Sequence, residues 1–405
     1  MRTLALLVAL ALPASARTTA PLADRLIALR RDLHRHPELA NRETRTMAAI
    51  AAYLKALGIE DVKTGVAKTG VVATIKGGAA GPTIALRAPI DAFGIQEKKD
   101  SAYKSETPGV SHACGHDAMI AALLGAAELL QERRAGLPGT IKLIFQPAEE
   151  GTPPGEDGGA PLMLKEGILD GVSALLAFHV DETIPFGEAG LHEAAVYAGA
   201  DTLEVTVLGQ SAHGATPWKG VDAIAVAGQI VSGLQLVASR QTDVWEPVVL
   251  TLGTIQGGTR PNGTAGEAKL TGTLRTYSAS SRAKARESAQ RIVTKVAEAF
   301  GAQGSLAFSD SIPPTVNDAA LVAKLRPALA RALGGAGKLR VMKPLSYADD
   351  FSVLSEKVPA FYFQLGVGGP GYSAGTHTET FDLDERAIPL GAKLLADLAT
   401  AALRP

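Results

Sequence analysis

The hexapeptide His112-Ala113-Cys114-Gly115-His116-Asp117 sets a thiol, two imidazoles and a carboxylate side by side, and it holds the single cysteine of the chain. A soft thiolate two residues from an imidazole is a donor pair suited to a borderline divalent cation such as zinc. The same six residues also fit a plainer role, a small buried cysteine beside hydrogen-bonded histidines. A second signal, Gln146-Pro147-Ala148-Glu149-Glu150-Gly151, follows directly on the apolar run Ile141–Phe145. Adjacent carboxylates repel when both are unpaired, but one can ligate a cation while its neighbour faces a bound water and acts as general base. A solvated acidic turn is the alternative for this pair. His179 closes a third apolar run, Ala174–Phe178, and ligands of open α/β sheets collect at such strand ends.

The elements that must position these groups change character twice along the chain. Residues 22–58 carry two helical patterns, with Leu26, Leu29 and Leu33 on one stripe and Gly58 as a C-terminal stop. Apolar runs at 71–75, 83–88, 141–145 and 174–180, with a helix from Asp117 to about Arg134, predict strands buried between helix layers. Between 198 and 311 the strands instead alternate, as in Leu203, Val205, Val207 and in Ala268, Leu270, Gly272, Leu274, so one face is buried and one is wet. Helices over 221–240 and 281–300 cover the buried face, giving a small α+β sandwich of the split β-α-β kind. The α/β pattern then resumes with a helix near 318–333, a strand at 361–365 and a closing helix from about Asp384. The expected division is a larger domain over 17–197 and 312–405, interrupted by a smaller one over 198–311. The Gly/Pro-rich stretch 151–161 reads as a surface loop.

Ahead of these elements, Arg2, the short apolar run Leu4–Leu12 and Ala14-Ser15-Ala16 have the form of a secretory signal peptide over 1–16. The mature chain is then expected in the periplasm; an uncleaved anchor is the alternative. No other stretch reads as membrane-spanning. The 405 residues are 46% hydrophobic and 20% charged, with 40 basic and 41 acidic side chains and no basic cluster interleaved with aromatics, which argues against nucleic acid as a partner. One cysteine cannot form an intrachain disulfide, and burial or ligation would protect it in an oxidising compartment.

His34 with Pro37-Glu38, the hexapeptide, the run 146–151, His179, His213-Gly214-Ala215, Asn262, Gly272-Thr273-Leu274-Arg275, Asp350-Phe351 and His377 stand in an order that resembles the amidohydrolase branch of peptidase family M20. The resemblance covers nearly the whole chain after residue 16. It implies a di-metal exopeptidase-like α/β catalytic domain, its mostly parallel sheet between helices, with an inserted ferredoxin-like lid. It further implies two divalent cations (zinc, manganese, cobalt or nickel) held by Cys114, His116, Glu150, His179 and His377, with Cys114 shared. Glu149 resembles the general base, and His213 the histidine that stabilises the oxyanion, often across a dimer. Asn262 and Arg275 match positions that hold the substrate's free carboxylate, although a wet strand face commonly carries arginine. Asp91, His112 and Asp117 would support the ligands; Asp91 as a plain strand-end cap is the alternative. His34, His36 and His192 read as structural or exposed. Pro89, Met119 and Trp218 depart from the family pattern.

The implied activity is hydrolysis of N-acyl or N-aroyl amino acids or small peptides by a homodimer joined through the lid. The rival is a catalytically silent binding protein on the same fold.

Overall fold

The computed structural model describes residues 20–404, so the signal-peptide expectation for 1–16 lies outside the described residues. Two compact units are present. One takes the described residues up to Leu191 with Asp318–Met342 and 357–404; the other takes His192–Asn317 and Lys343–Glu356.

In chain order the strands are β1 (Val62–Val66), β2 (Gly70–Lys76), β3 (Ala79–Pro89), β4 (Pro138–Gln146), β5 (Val172–Pro185), β6 (Ala189–Leu191), β7 (Ala195–Tyr197), β8 (Gly199–Leu208), β9 (Val248–Gly257), β10 (Glu267–Thr276), β11 (Gln303–Ile312), β12 (Thr315–Val316), β13 (Leu339–Val341) and β14 (Ala360–Gly368). The helices are α1 (Leu22–Arg35), α2 (Thr44–Ala56), α3 (His116–Arg133), α4 (Gly159–Lys165), α5 (Ala223–Arg240), α6 (Ala279–Ala299), α7 (Ala319–Ala332), α8 (Phe351–Ser355) and α9 (Ala387–Leu403).

The first unit is built on a sheet in the order β1-β2-β4-β3-β5-β14-β6-β13. Its four middle strands, β4, β3, β5 and β14, run parallel, while antiparallel pairs β1–β2, β2–β4 and β14–β6 flank them. Parallel strands are covered on both faces, and β14 is accordingly buried at every residue. Helix α3 is buried on nearly all sides because α1 and α9 pack against it. Gly125 makes that crossing possible: a Cβ there would lie 2.5 Å from Leu26 and 2.8 Å from Ala392. Gly58 ends the second helical segment as expected, in the left-handed region at φ 75°. The edge strand β1 is largely exposed and carries no apolar run, and β6 and β13 are three residues each, so no period announces them.

The second unit runs β8-α5-β9-β10-α6-β11, with the antiparallel order β11-β8-β10-β9 of a ferredoxin-like sheet. Leu203, Val205, Val207, Ala268, Leu270 and Leu274 meet Val226, Ile230, Leu234, Ala289 and Val293 in one core. Glu204, Lys269, Thr271 and Thr273 line the opposite, exposed face. Helix α5 is long and apolar enough to cross a membrane by length and composition, contrary to the sequence expectation. Its buried residues instead lie in this core.

The unit boundaries differ from those expected at 197/198 and 311/312. β7 pairs with β12, and Leu345 donates its N–H to the Val196 carbonyl, so 192–198, 312–317 and 343–356 all join the second unit. These contacts join segments far apart in sequence and too short for a periodicity signal. The loop expected over 151–161 is likewise shorter, because Gly159 already opens α4.

Candidate active site

In the first unit the expected metal donors come from a helix start, from loops that follow two strands and from within a third strand: His179, expected to close its strand, lies inside β5, which runs on to Pro185. Gly115, at φ 82°, turns the chain into α3 and sets Cys114 and His116 on either side of that turn. β4 delivers Glu149 and Glu150, β5 carries His179, and the loop after β14 carries His377. His116 Nδ1 meets the Asp91 carbonyl at 2.9 Å, and His179 Nδ1 meets the Val180 carbonyl at 2.8 Å. A carbonyl only accepts, so each ring carries its proton on Nδ1 and leaves a lone pair on Nε2, the tautomer a ligating imidazole needs.

These lone pairs converge. His179 Nε2 lies 3.3 Å from Cys114 Sγ. His377 Nε2 lies 3.2 Å from the same sulfur and 3.0 Å from Glu150 Oε1. His116 Nε2 is buried without a hydrogen-bond partner, 3.6 Å from Glu149 Oε2 and 3.9 Å from Glu150 Oε1. Donors held about 2.0–2.3 Å from one cation stand roughly 3.3–3.8 Å apart in a tetrahedron, so these spacings and the orphaned buried nitrogen fit cation binding. The donors fall into a triad of Cys114, His116 and His179 and a triad of Cys114, Glu150 and His377, with the sulfur in both. Glu149 groups with His116 and Glu150 at the side of the pair.

Charge around Glu150 is balanced against burial. Burial raises its carboxyl, but the contact with His377 and the proximity of the His116 ring outweigh it and hold it below the usual range. Two constraints fix His377: its backbone lies in the left-handed region at φ 60°, with its N–H on the Ala113 carbonyl at 2.8 Å. Its ring also stacks on Phe93, centroids 4.3 Å apart and planes inclined 18°.

Of the residues expected to support the donors, Asp91 touches two of them, His116 and Glu150, whereas Asp117 pairs with Arg30 and His34 and the His112 ring has no hydrogen-bond partner among the described residues. Asp91 is fully buried, and its Oδ2 accepts the Glu150 N–H at 2.9 Å. Asp117 is buried between Arg30 and His34, each 2.7 Å from its Oδ2. Burial opposes ionisation of Asp117, but these two cations prevail and hold it well below the carboxylate range. Burial pushes His112 down to about 3, so it stays neutral. His34 and His192 are buried and His36 is half-buried, as structural roles require. Sequence reasoning did not single out Arg30, which a heptad-like stripe of α1 conceals, nor Phe93, an aromatic with no neighbouring motif.

In the second unit, His213 and Asn262 line one cavity of about 680 Å³, with Arg260 and Lys269 supplying positive charge and Glu267 negative. The Gly214 N–H donates to the Asn262 carbonyl at 2.8 Å, and Gln210 and Val221 close the loop with two mutual hydrogen bonds. His213 Nδ1 accepts the Ala215 N–H at 3.1 Å, so the neutral ring carries its proton on Nε2 and can donate from there. Arg275 is not among the cavity residues; it lies half-buried on β10 opposite Ala200 and Val249. Arg260 and Lys269 are the cations that line the cavity beside Asn262. Arg260 sits two residues before Asn262, a signal the sequence did offer. Of the three departures, Pro89 ends β3, Met119 is buried in the core, and Trp218 is 76% exposed beside this loop.

Comparison with known proteins places these observations. Residues 85–401 match the model of peptidase family M20/M25/M40. The chain is 38% identical over 379 residues to N-acetylcysteine deacetylase from Bacillus subtilis (strain 168), covering 94% of this chain and 97% of that protein. It is 35% identical over 380 residues to thermostable carboxypeptidase 2 from Saccharolobus solfataricus, covering 93% and 95%. A crystal structure described as a dinuclear metal binding peptidase of the M20 family, from Bacillus subtilis, superposes with a TM-score of 0.82 at 35% identity, covering 94% of this chain and 98% of that one.

Proposed function

The chain belongs to peptidase family M20/M25/M40 and is a metal-dependent hydrolase of amide or peptide bonds, and from that premise we propose that it cleaves N-acyl amino acids or small peptides with Glu149 as the base. The observation that carries this reading is the Cys114 sulfur common to two donor triads, with Glu149 beside them. Cys114, His116, Glu150, His179 and His377 would hold two divalent cations, which when bound acidify a water and polarise the scissile carbonyl.

The chain's own residues do the rest. Glu149 takes the proton from water and passes it to the leaving nitrogen, so that the C–N bond breaks to a carboxylate and an amine. His213 donates from Nε2 to the oxygen that gains charge as the carbonyl becomes tetrahedral. Arg260 and Lys269, with Asn262 beside them, hold the free carboxylate of the amino acid by charge. The second unit serves as a substrate-holding lid and as the seat of a homodimer, where β9 offers an edge with exposed backbone partners. Residues 1–16 direct the chain to the periplasm.

The test is turnover of N-acetyl amino acids, hippurate and dipeptides by metal-depleted protein reloaded with zinc, manganese or cobalt. Cleavage in at least one metal form is expected. Metal binding without cleavage of any substrate class would leave a binding protein instead.

A further inference from the structure

Helix α2 begins in an unusual way. Its first turn is capped from a distance: the Glu38 carboxylate accepts the Arg45 N–H at 3.0 Å and the Thr46 N–H at 2.8 Å. Glu43, at the N-cap position itself, makes no cap hydrogen bond. Its side chain is instead completely buried. There Oε1 accepts the Ala148 N–H at 2.9 Å and Oε2 accepts the Thr69 hydroxyl at 2.5 Å. Burying a carboxylate costs free energy, and burial does push Glu43 up from its usual range, so this placement needs a return elsewhere.

That return lies at the bend before Glu149. Ala148 is buried and holds φ 49°, a left-handed conformation that a residue with a Cβ adopts against strain. Its carbonyl accepts the Gly159 N–H at 3.1 Å, and two residues on, the Glu150 N–H is fixed by Asp91 at 2.9 Å. The segment carrying both carboxylates of the site is thus clamped by Glu43 before it and by Asp91 within it. The Glu38 carbonyl also accepts the Ala92 N–H at 2.8 Å, tying the two clamps to one another.

We propose that Glu43 is a positioning residue for the hydrolytic centre: its carboxylate locks the left-handed bend at Ala148 and so sets the direction of Glu149 and Glu150. The inference rests on the hydrolase reading. Glu43 reaches no substrate and acts by length and hydrogen bonding rather than by charge, since Gln can accept from Ala148 through its carbonyl oxygen and donate to the Thr69 oxygen. Asp keeps the charge but is one methylene too short to meet both partners.

The experiment compares Glu43→Gln, Glu43→Asp and the pair Glu43→Asp with Ala148→Gly, all retaining a buried polar group to favour folding. Hydrolysis of an N-acetyl amino acid and cobalt affinity of the metal-depleted protein are read side by side. Glu43→Asp should lower kcat about 10- to 100-fold with KM little changed, as a small misplacement of a reacting group does. Glu43→Gln should stay within a few-fold of the parent, and Ala148→Gly should restore part of the loss because glycine enters the left-handed region freely. A native-like Glu43→Asp, or a Glu43→Gln as impaired as it, overturns the proposal. Should the parent cleave nothing, the hydrolase reading fails separately, and the positioning claim is read from cobalt alone: Asp weakens binding at Glu150 by at least about fivefold and Gln does not. Equal cobalt affinities then refute it.

Discussion

The two units handle polar groups in opposite ways. The first unit braces them: Cys114 and His116 are buried, Glu149, Glu150 and His179 half-buried and His377 exposed, and His116, His179, Glu150 and His377 are each held from behind by a carbonyl, a carboxylate or a ring. The second unit exposes them: His213, Arg260, Asn262 and Lys269 face a cavity open on the wet side of an antiparallel sheet. A centre that must present several donors within a few tenths of an ångström needs buried, over-determined supports.

The contrast predicts unequal losses on substitution. Glu149→Gln should reduce turnover by about 10²- to 10⁴-fold while bound metal, counted by elemental analysis, stays unchanged. Glu150→Gln should lose metal as well as turnover, and equal metal loss in both variants would break the division between base and ligand. His213→Ala should cost about 10²- to 10³-fold in kcat with metal content intact; a change in metal content would contradict its assignment to the exposed set. Phe93→Leu removes the stack on His377 and should weaken cobalt binding no more than about tenfold, a stack being worth roughly 0.5–1.5 kcal/mol.

The smallest effect concerns pH and Asp201, a carboxylate the second unit buries beside Arg282 and Arg286. Burial disfavours the charge on Asp201, but Arg282 and Ser311 prevail, and its folded pKa lies below the unfolded value. The folded state therefore binds fewer protons than the unfolded one in that range. Its stabilisation is complete above the unfolded carboxylate range, about 4, and fades as pH falls through the folded value. Asp201→Asn should flatten this acid limb in thermal melts between about pH 5 and 3, by less than roughly 1.4 kcal/mol per pH unit. An unchanged limb would remove Asp201 from the account.

Most of the candidate donors were legible because they sit at chemically marked spots: a hexapeptide with one cysteine, a Glu pair after an apolar run, a histidine closing another. The supports were not. Glu43 stands before a helix, where a carboxylate ordinarily reads as a cap, and only the folded chain shows Glu38 in that role. Arg30 reads as one more cation on an amphipathic helix, yet it is fully buried against Asp117. β7 and β12 pair across more than a hundred residues of sequence, so the reach of the second unit into 343–356 left no periodic trace. Buried runs and marked donors are local properties; long-range hydrogen-bond partners are not.

The sulfur of Cys114 belongs to both donor triads, which makes it a single point of failure. Two successive two-electron oxidations by peroxide, through the sulfenic acid to the sulfinate, would convert a soft donor to a hard, bulkier anion and disable both triads together. Loaded protein should resist peroxide better than stripped protein, so cation supply would double as a safeguard against irreversible damage.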